Sequence, residues 1–324
     1  LPLPNQVNYQ FKTKTTMKIT QNNAWLIALL LSGATVVSSC SKNNDTPSLP
    51  AIGGYNTSND VAATNLLAHW SFEGNANEDI SKTAPSKAQN NTFGTGGPKG
   101  QSLSLANGFV LYPTIPALNT ANAIASVTVS AWVNVANNGK TGSSVFALTQ
   151  AQSVQSDWNQ GPINMYIETG GAIARGDTLA FHAAFHTYAG GNYNLGGDNI
   201  NDYGNRGVDF QTVKSGGKWI HYVMVYDGAN STIDLYANNV LVSNKNFRNR
   251  TTGTPPVGIG PITINPPTQV LIGGWPNADT GYALSAVQAF QGLFNGGIDE
   301  VRVYNKVLTA AEIGALYQLE GQNR

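Results

Sequence analysis

An all-β sandwich of two antiparallel sheets with a short C-terminal helix is the fold class the sequence predicts. Three observations point to it. From about Leu66 onward, short apolar stretches of period two recur, the spacing at which a strand sends alternate side chains to opposite faces. Clusters of Gly, Asn, Pro and Asp separate those stretches, and they supply the backbone freedom that tight turns require. Only one segment, after Leu308, carries helical spacing together with a helix start signal.

The strands justify themselves in order. In 66–72, Leu66, Ala68, Trp70 and Phe72 share one face while Leu67, His69 and Ser71 share the other. Strands are expected at 102–105 and 109–111, and then at 126–134, where Val127, Val129, Ala131 and Val133 alternate with Thr128, Ser130, Trp132 and Asn134. Further strands are expected at 144–149, 163–167, 179–186 and 219–226. Ile233, Leu235 and Ala237 form the inner face of the next, and Asn238-Asn239 supplies a two-residue turn because Asn tolerates positive φ. The return strand is expected over 240–247, followed by strands at 270–273 and 293–304. At the end, Thr309-Ala310-Ala311-Glu312 reads as a capping box, Leu308 and Ile313 as its hydrophobic staple, and Ile313, Leu316 and Leu319 as the buried stripe of a helix.

Composition limits function. Lys plus Arg number 18, Asp plus Glu number 18, and charged residues are 11% of the chain, so a charge-driven partner such as a nucleic-acid backbone is excluded. The 41% hydrophobic content suffices for a large core and argues against global disorder. Residues 1–39 read as an export leader: Lys18 follows Met17, and the apolar run 25–37 ends at Val37-Ser38-Ser39-Cys40. Residues 1–16 precede that methionine and read as untranslated. The run is about 13 residues, short of the roughly 20 a spanning helix needs. The four residues ending at Cys40 resemble a bacterial lipobox, which implies lipidation at Cys40, an outer-membrane lipoprotein facing the cell surface, and membrane contact through that anchor only. Cys40 is the one cysteine, so no internal disulfide can form. Removing 1–39 takes away Lys12, Lys14 and Lys18 and no acid, which leaves a mildly acidic chain. Residues 40–65, rich in Ser, Asn, Thr, Pro and Gly, read as a flexible tether, and 66–324 as the folded domain.

Six motifs stand in one order: 69–76 (HWSFEGNA), 127–133 (VTVSAWV), 218–228 (KWIHYVMVYDG), 235–242 (LYANNVLV), 298–308 (IDEVRVYNKVL) and 309–313 (TAAEI). Together they resemble the laminin-G-like, concanavalin A-like jelly-roll domains common in surface lipoproteins of Bacteroidetes. The resemblance covers about Leu66 to Leu319 and implies a lectin-like or glucanase-like sandwich with a curved concave face. Two departures are visible. The usual Asn-Gly hairpin is Asn-Asn, and 150–213 is longer and richer in Gly and aromatics than a minimal domain, so individuality is expected there.

Some enzymes with this jelly roll carry Glu-x-Asp-x-Glu-type strands, and retaining hydrolysis needs two carboxyls about 5 Å apart. None of Glu73, Glu78, Glu168, Glu300, Glu312 or Glu320 begins such a motif, and no serine stands in a nucleophile-elbow sequence. Carbohydrate capture without catalysis is therefore the leading reading. It rests on loop aromatics, which stack on the C–H faces of sugars while amides and carboxylates read the hydroxyls. The expected ligand-binding residues are Trp158, Trp275, Tyr188, Tyr193, Tyr203 and Tyr282, with Asp157 and Asn192 as polar partners. His182 and His186, on one face of their strand, are expected to line a groove. Trp70, Trp132 and Trp219, within strand motifs, read as packing residues. An adhesion module with a protein partner is the second reading, and a glycoside hydrolase or polysaccharide lyase with an unrecognised acid pair is the third. The resemblance also implies a structural Ca²⁺ ion at Asp299, with Glu73 and Asp79 as the matching acids of the first turn.

Overall fold

The alternation of apolar and polar residues gives each strand one face to bury, and the chain satisfies these faces by curling a single long antiparallel sheet over on itself. The computed structural model describes residues 49–169, 176–201 and 209–324. The strands are β1 (Leu66–Trp70), β2 (Lys87–Thr95), β3 (Gln101–Leu111), β4 (Val127–Val135), β5 (Gly142–Gln150), β6 (Ile163–Glu168), β7 (Thr178–Ala189), β8 (Asn192–Asn199) and β9 (Val213–Lys214). They continue as β10 (Trp219–Asp227), β11 (Thr232–Ala237), β12 (Val240–Leu241), β13 (Thr251–Thr252), β14 (Val257–Gly258), β15 (Thr268–Ile272), β16 (Gln291–Gly292) and β17 (Phe294–Tyr304), before helix α1 (Ala310–Glu320). The main path through the sheet runs β12-β11-β10-β4-β17-β3-β15-β5-β6-β7-β8, with β1, β2, β9 and β16 attached beside it and β13-β14 a separate ribbon.

The curl brings β7 across from β10, far from it in strand order. Phe181 meets Tyr222 with ring centroids 4.3 Å apart, and Phe185 meets Tyr226 at 4.0 Å. Between the two halves lies the main core, to which β4 contributes Val127, Val129, Ala131 and Val133 and β6 contributes Ile163, Met165 and Ile167. Two outer faces are also covered. The α1 stripe of Ile313, Leu316 and Leu319 packs on Val223 and Val225 of β10. Tyr282, from the loop after β15, packs on Phe109, Ala147 and Leu271.

Local signals carry these elements. Thr309 and Glu312 close the capping box on α1. Asn238 and Asn239 both hold positive φ, 49° and 63°, between β11 and β12, as a two-residue hairpin turn demands. The return strand is shorter than the expected 240–247. It ends at Leu241 because Ser243 Oγ accepts Leu235 N–H at 2.8 Å and Asn244 caps a 3₁₀ turn at Lys245–Phe247. The tether expected over 40–65 is folded from residue 50 on. Arg324 Nη1 donates to the Pro50 carbonyl at 3.0 Å, Ser58 N–H donates to the Arg324 carbonyl at 3.1 Å, and Val61 is buried against α1. Cys40 and the leader lie outside the described residues. No helix among the described residues is long and apolar enough to cross a membrane.

Candidate functional site

The β7–β8 hairpin, the loop after β5 and the segment before β15 meet around a polar cavity of about 390 Å³. Gly190 and Gly191, at φ 59° and 87°, make the tight turn that presents Tyr188, Asn192 and Tyr193 on one wall. The opposite wall carries Gln150, Ser156 and Gln160, and Asn265 closes the third side. Five amides, two phenols and a hydroxyl thus line the cavity, and no charged side chain does. Such a surface offers paired donors and acceptors for neutral polyhydroxyl groups.

The walls are fixed by their own hydrogen bonds. Tyr193 is nearly buried, its hydroxyl accepts Asn265 N–H at 2.7 Å, and its ring lies 5.2 Å from that of Tyr188. Burial pushes the Tyr193 hydroxyl above its usual range, so it stays protonated. Gln160 Oε1 accepts from Ser156 N–H at 3.0 Å, Ser156 Oγ at 2.7 Å and Asp157 N–H at 3.1 Å. Gln150 Nε2 donates to the Gln160 carbonyl at 2.8 Å, which ties this loop to the end of β5.

Beside the cavity an aromatic block holds two loops on the outer face of β5 and β6. Trp158 stands edge-on to Trp275 at 5.1 Å, to Phe290 at 5.5 Å and to Tyr166 at 5.6 Å. Trp275 is 1% exposed and Tyr282 is 0% exposed. Tyr282 bonds Thr149 Oγ1 at 2.5 Å, and Trp275 Nε1 donates to the Gly142 carbonyl at 3.4 Å. These two side chains anchor the 273–290 loop and present no face to solvent, whereas Trp158 is half-buried. Asp157 Oδ1 accepts Trp158 N–H at 2.7 Å and Gln288 Nε2 at 3.2 Å, linking the two loops.

His182 and His186 share the outer face of β7, as their spacing predicts. His182 is buried, with Nδ1 3.2 Å from the Tyr166 hydroxyl, and its strand partner is Tyr166. His186 is half-buried over Gly196, where a side chain would collide with its ring. Burial lowers its pKa, partly offset by the Asp157 charge, so the ring is held neutral. Between them, Asn164 is 1% exposed with both amide atoms unpartnered, a buried polar group beside the aromatic block. Tyr203 lies outside the described residues.

The three carboxylates expected at a metal are spent separately. Asp299 is fully buried and accepts Glu300 N–H at 2.9 Å. Glu73 accepts Gln101 N–H at 3.1 and 3.2 Å, and Asp79 accepts Ser71 N–H at 2.8 Å. Among the described residues, no three His, Cys, Asp or Glu side chains gather where they could share an ion. Burial, then the Glu300 charge, pushes Asp299 up to about 9, so it is protonated at neutral pH. Backbone N–H groups thus engage all three carboxylates.

The structure brings the expected Tyr188, Tyr193 and Asn192 to one cavity, with Asn194 from the same Gly/Asn-rich insertion, and adds Gln150, Gln160 and Asn265, which the sequence reading missed. The signal for them was present: amides clustered at strand ends beside Gly-rich turns. Trp132 is a packing residue as expected, 6% exposed, whereas Trp219, also expected to pack, is partly exposed; with Tyr317 the two border a second cavity of about 390 Å³.

No family model matches the chain, and no curated protein matches it. Solved structures do. Domain 4 of a GH43 extracellular arabinanase from Geobacillus stearothermophilus, in complex with arabinotriose, is 18% identical with a TM-score of 0.46, over 78% of this chain and 98% of that one. A botulinum neurotoxin serotype D ligand-binding domain, in complex with N-acetylneuraminic acid, is 12% identical with a TM-score of 0.45, over 81% of this chain and 52% of that one. The Trypanosoma rangeli sialidase is 13% identical with a TM-score of 0.47, over 79% of this chain and 33% of that one. The chain thus spans about half the length of the toxin domain and a third of the sialidase.

Proposed function

We propose that this chain captures neutral glycans without transforming them. The observation that carries the reading is the cavity built by Tyr188, Tyr193, Asn192 and the surrounding amides, which holds no charged group and no carboxylate. Tyr188, partly exposed, offers a ring face to a sugar with the buried Tyr193 ring supporting it from the side, and the amides satisfy the sugar's hydroxyls in both senses. Hydrolysis by paired acids has no pair in this cavity to use.

Within the same proposal the chain is a laminin-G-like, concanavalin A-like jelly roll, lipidated at Cys40 and displayed on the outer membrane. A shallow site binds weakly, and many copies on one surface gain avidity. Calcium enters in a narrow form: an ion at this edge would be held by Asp299 with backbone carbonyl oxygens, displacing its proton. A chelator-dependent fall in melting temperature that Asp299→Asn abolishes is its test.

The function is tested by screening the purified chain on neutral and acidic oligosaccharides, with Tyr188→Ala and Asn192→Ala beside it. Binding of an uncharged oligosaccharide, weakened about tenfold in either variant and leaving the sugar intact on long incubation, is expected. Shortened products would make the chain a hydrolase or lyase, and absence of any sugar binding would overturn the reading.

A further inference from the structure

We infer that the chain has a second sugar-binding site, on the outer face of β4 and β10 at the C-terminal end of α1, and that it takes one ring of a neutral glycan by stacking. The inference rests on the glycan-binding reading but uses none of the residues of the first cavity. Trp132, Trp219, Tyr317, Gln318 and Gln322 line an open cavity of about 390 Å³.

Trp219 and Tyr317 are set as binding surfaces, and Trp132, 6% exposed, is the buried support beneath Tyr317. The inward faces of β4 and β10 are filled by Val129, Val133, Ile220 and Tyr222, so the two indoles lie on the other side of the sheet. Trp219 and Tyr317 are both partly exposed. Each indole N–H is already used inside the protein: Trp132 Nε1 donates to Glu320 at 2.7 Å, and Trp219 Nε1 donates to the Gly96 carbonyl at 2.8 Å. That leaves ring surface as what the partly exposed Trp219 indole offers. Gly297 lets Trp219 lie against β17, since a Cβ there would sit 2.5 Å from the ring. Tyr317 stacks on Trp132 at 5.6 Å and 20°. The rings are therefore ordered before a ligand arrives, which lowers the entropic cost of binding.

The surroundings choose the ligand. No charged side chain lines the cavity, which disfavours sialic acids, uronates and sulfated sugars. Flat aromatic walls match the C–H face of a pyranose, and the exposed amides of Gln318 and Gln322 are within the lining to meet its hydroxyls.

The test is titration of the full chain with a panel of neutral oligosaccharides and a uronate-containing control, read by calorimetry and by tryptophan emission. Two binding equivalents are expected. Trp219→Ala should remove one, Tyr188→Ala the other, and the double variant both. Gln322→Ala, at an exposed position that leaves the fold intact, should weaken the Trp219-dependent equivalent about threefold or more, while Trp219→Phe should retain part of it. An unchanged titration in folded Trp219→Ala would overturn this site while leaving the first standing. Loss of all binding in Tyr188→Ala alone would overturn it as well. Survival of the Trp219-dependent equivalent alone would support this site and refute the first, and failure of every sugar to bind would refute both.

Discussion

Arg302 is fully buried and holds two buried acids at once, so replacing it with methionine should be strongly destabilising. Its Nε donates to Glu320 at 2.8 Å, and its Nη2 donates to Asn59 at 2.9 Å, to Ser58 at 3.2 Å and to Glu300. Methionine fills much of the volume but leaves Glu320 with Trp132 Nε1 as its hydrogen-bond donor and strips Glu300 of its guanidinium. Removing one partner of a buried ion pair costs about 3 to 5 kcal/mol. With a urea slope of about 3 kcal/mol per molar, the midpoint should fall by about 1 to 2 M at pH 7. Equilibrium unfolding followed by tryptophan emission measures this. Combining Arg302→Met with Glu300→Gln and Glu320→Gln should recover most of the loss, because neither buried carboxylate is then left as an unpaired charge. A midpoint within about 0.3 M of wild type for the single variant, with an unchanged slope, would refute the reasoning. Acid adds a second readout. Burial disfavours the Glu300 charge, but the His69 hydrogen bond and Arg302 outweigh it and hold the carboxyl down at about 2, against 4.5 for the free group. A depressed pKa contributes stability above 4.5 that is lost as pH falls from 4.5 toward 2, and Arg302→Met, by raising the folded-state pKa, should shrink that acid-dependent loss.

Three other outcomes follow from the same structure. Asp299, raised to about 9 from 3.8, contributes stability that is present below pH 3.8 and is lost as pH rises toward 9. Asp299→Asn should therefore gain melting temperature relative to wild type at pH 8.5 compared with pH 5, by calorimetry without calcium. Tyr282→Phe removes the hydroxyl bonded to Thr149 and should cost about 1 kcal/mol, with faster amide exchange across 273–290. Leu316→Ala, at a fully buried position of α1, should cost about 2 to 5 kcal/mol in urea unfolding.

The strands with clean alternation were legible: β4, β6, β10, β11 and β17 fall within a residue or two of their expected bounds. So was α1, because a capping box and a staple are local chemistry. β2 and β8 were not, because KAQNNTFGT pairs along the sheet with no buried side chain and NYNLGGDN buries only Tyr193 and Asn199, so neither edge strand has an apolar period to read. The site divides in the same way. Turn glycines flagged the hairpin carrying Tyr188 and Asn192, but whether an aromatic in a loop faces solvent depends on what the loop packs against. Trp275 and Tyr282 have the same sequence surroundings as Trp158 and are buried. Trp219 has the surroundings of a core strand and is partly exposed, because its ring lies on the side of the sheet that α1 leaves partly open.

The chain's few charges and its uncharged cavities belong to one arrangement. Glu300, Arg302 and Glu320 are buried and joined by ion pairs, with His69 hydrogen-bonded to Glu300, so charged groups are consumed in fastening β1, β17 and α1 together. Both cavities are left to amides and rings. Recognition built on stacking and neutral hydrogen bonds has no Coulombic attraction for salt to screen, unlike capture of an acidic glycan by a basic groove. Affinity for a neutral oligosaccharide should therefore change by less than about twofold between 0.05 and 0.5 M NaCl, whereas a charge-steered site would lose about tenfold or more over that range. Titration at the two ionic strengths distinguishes them, and a steep fall with salt would mean that a charged group outside these linings reads the ligand.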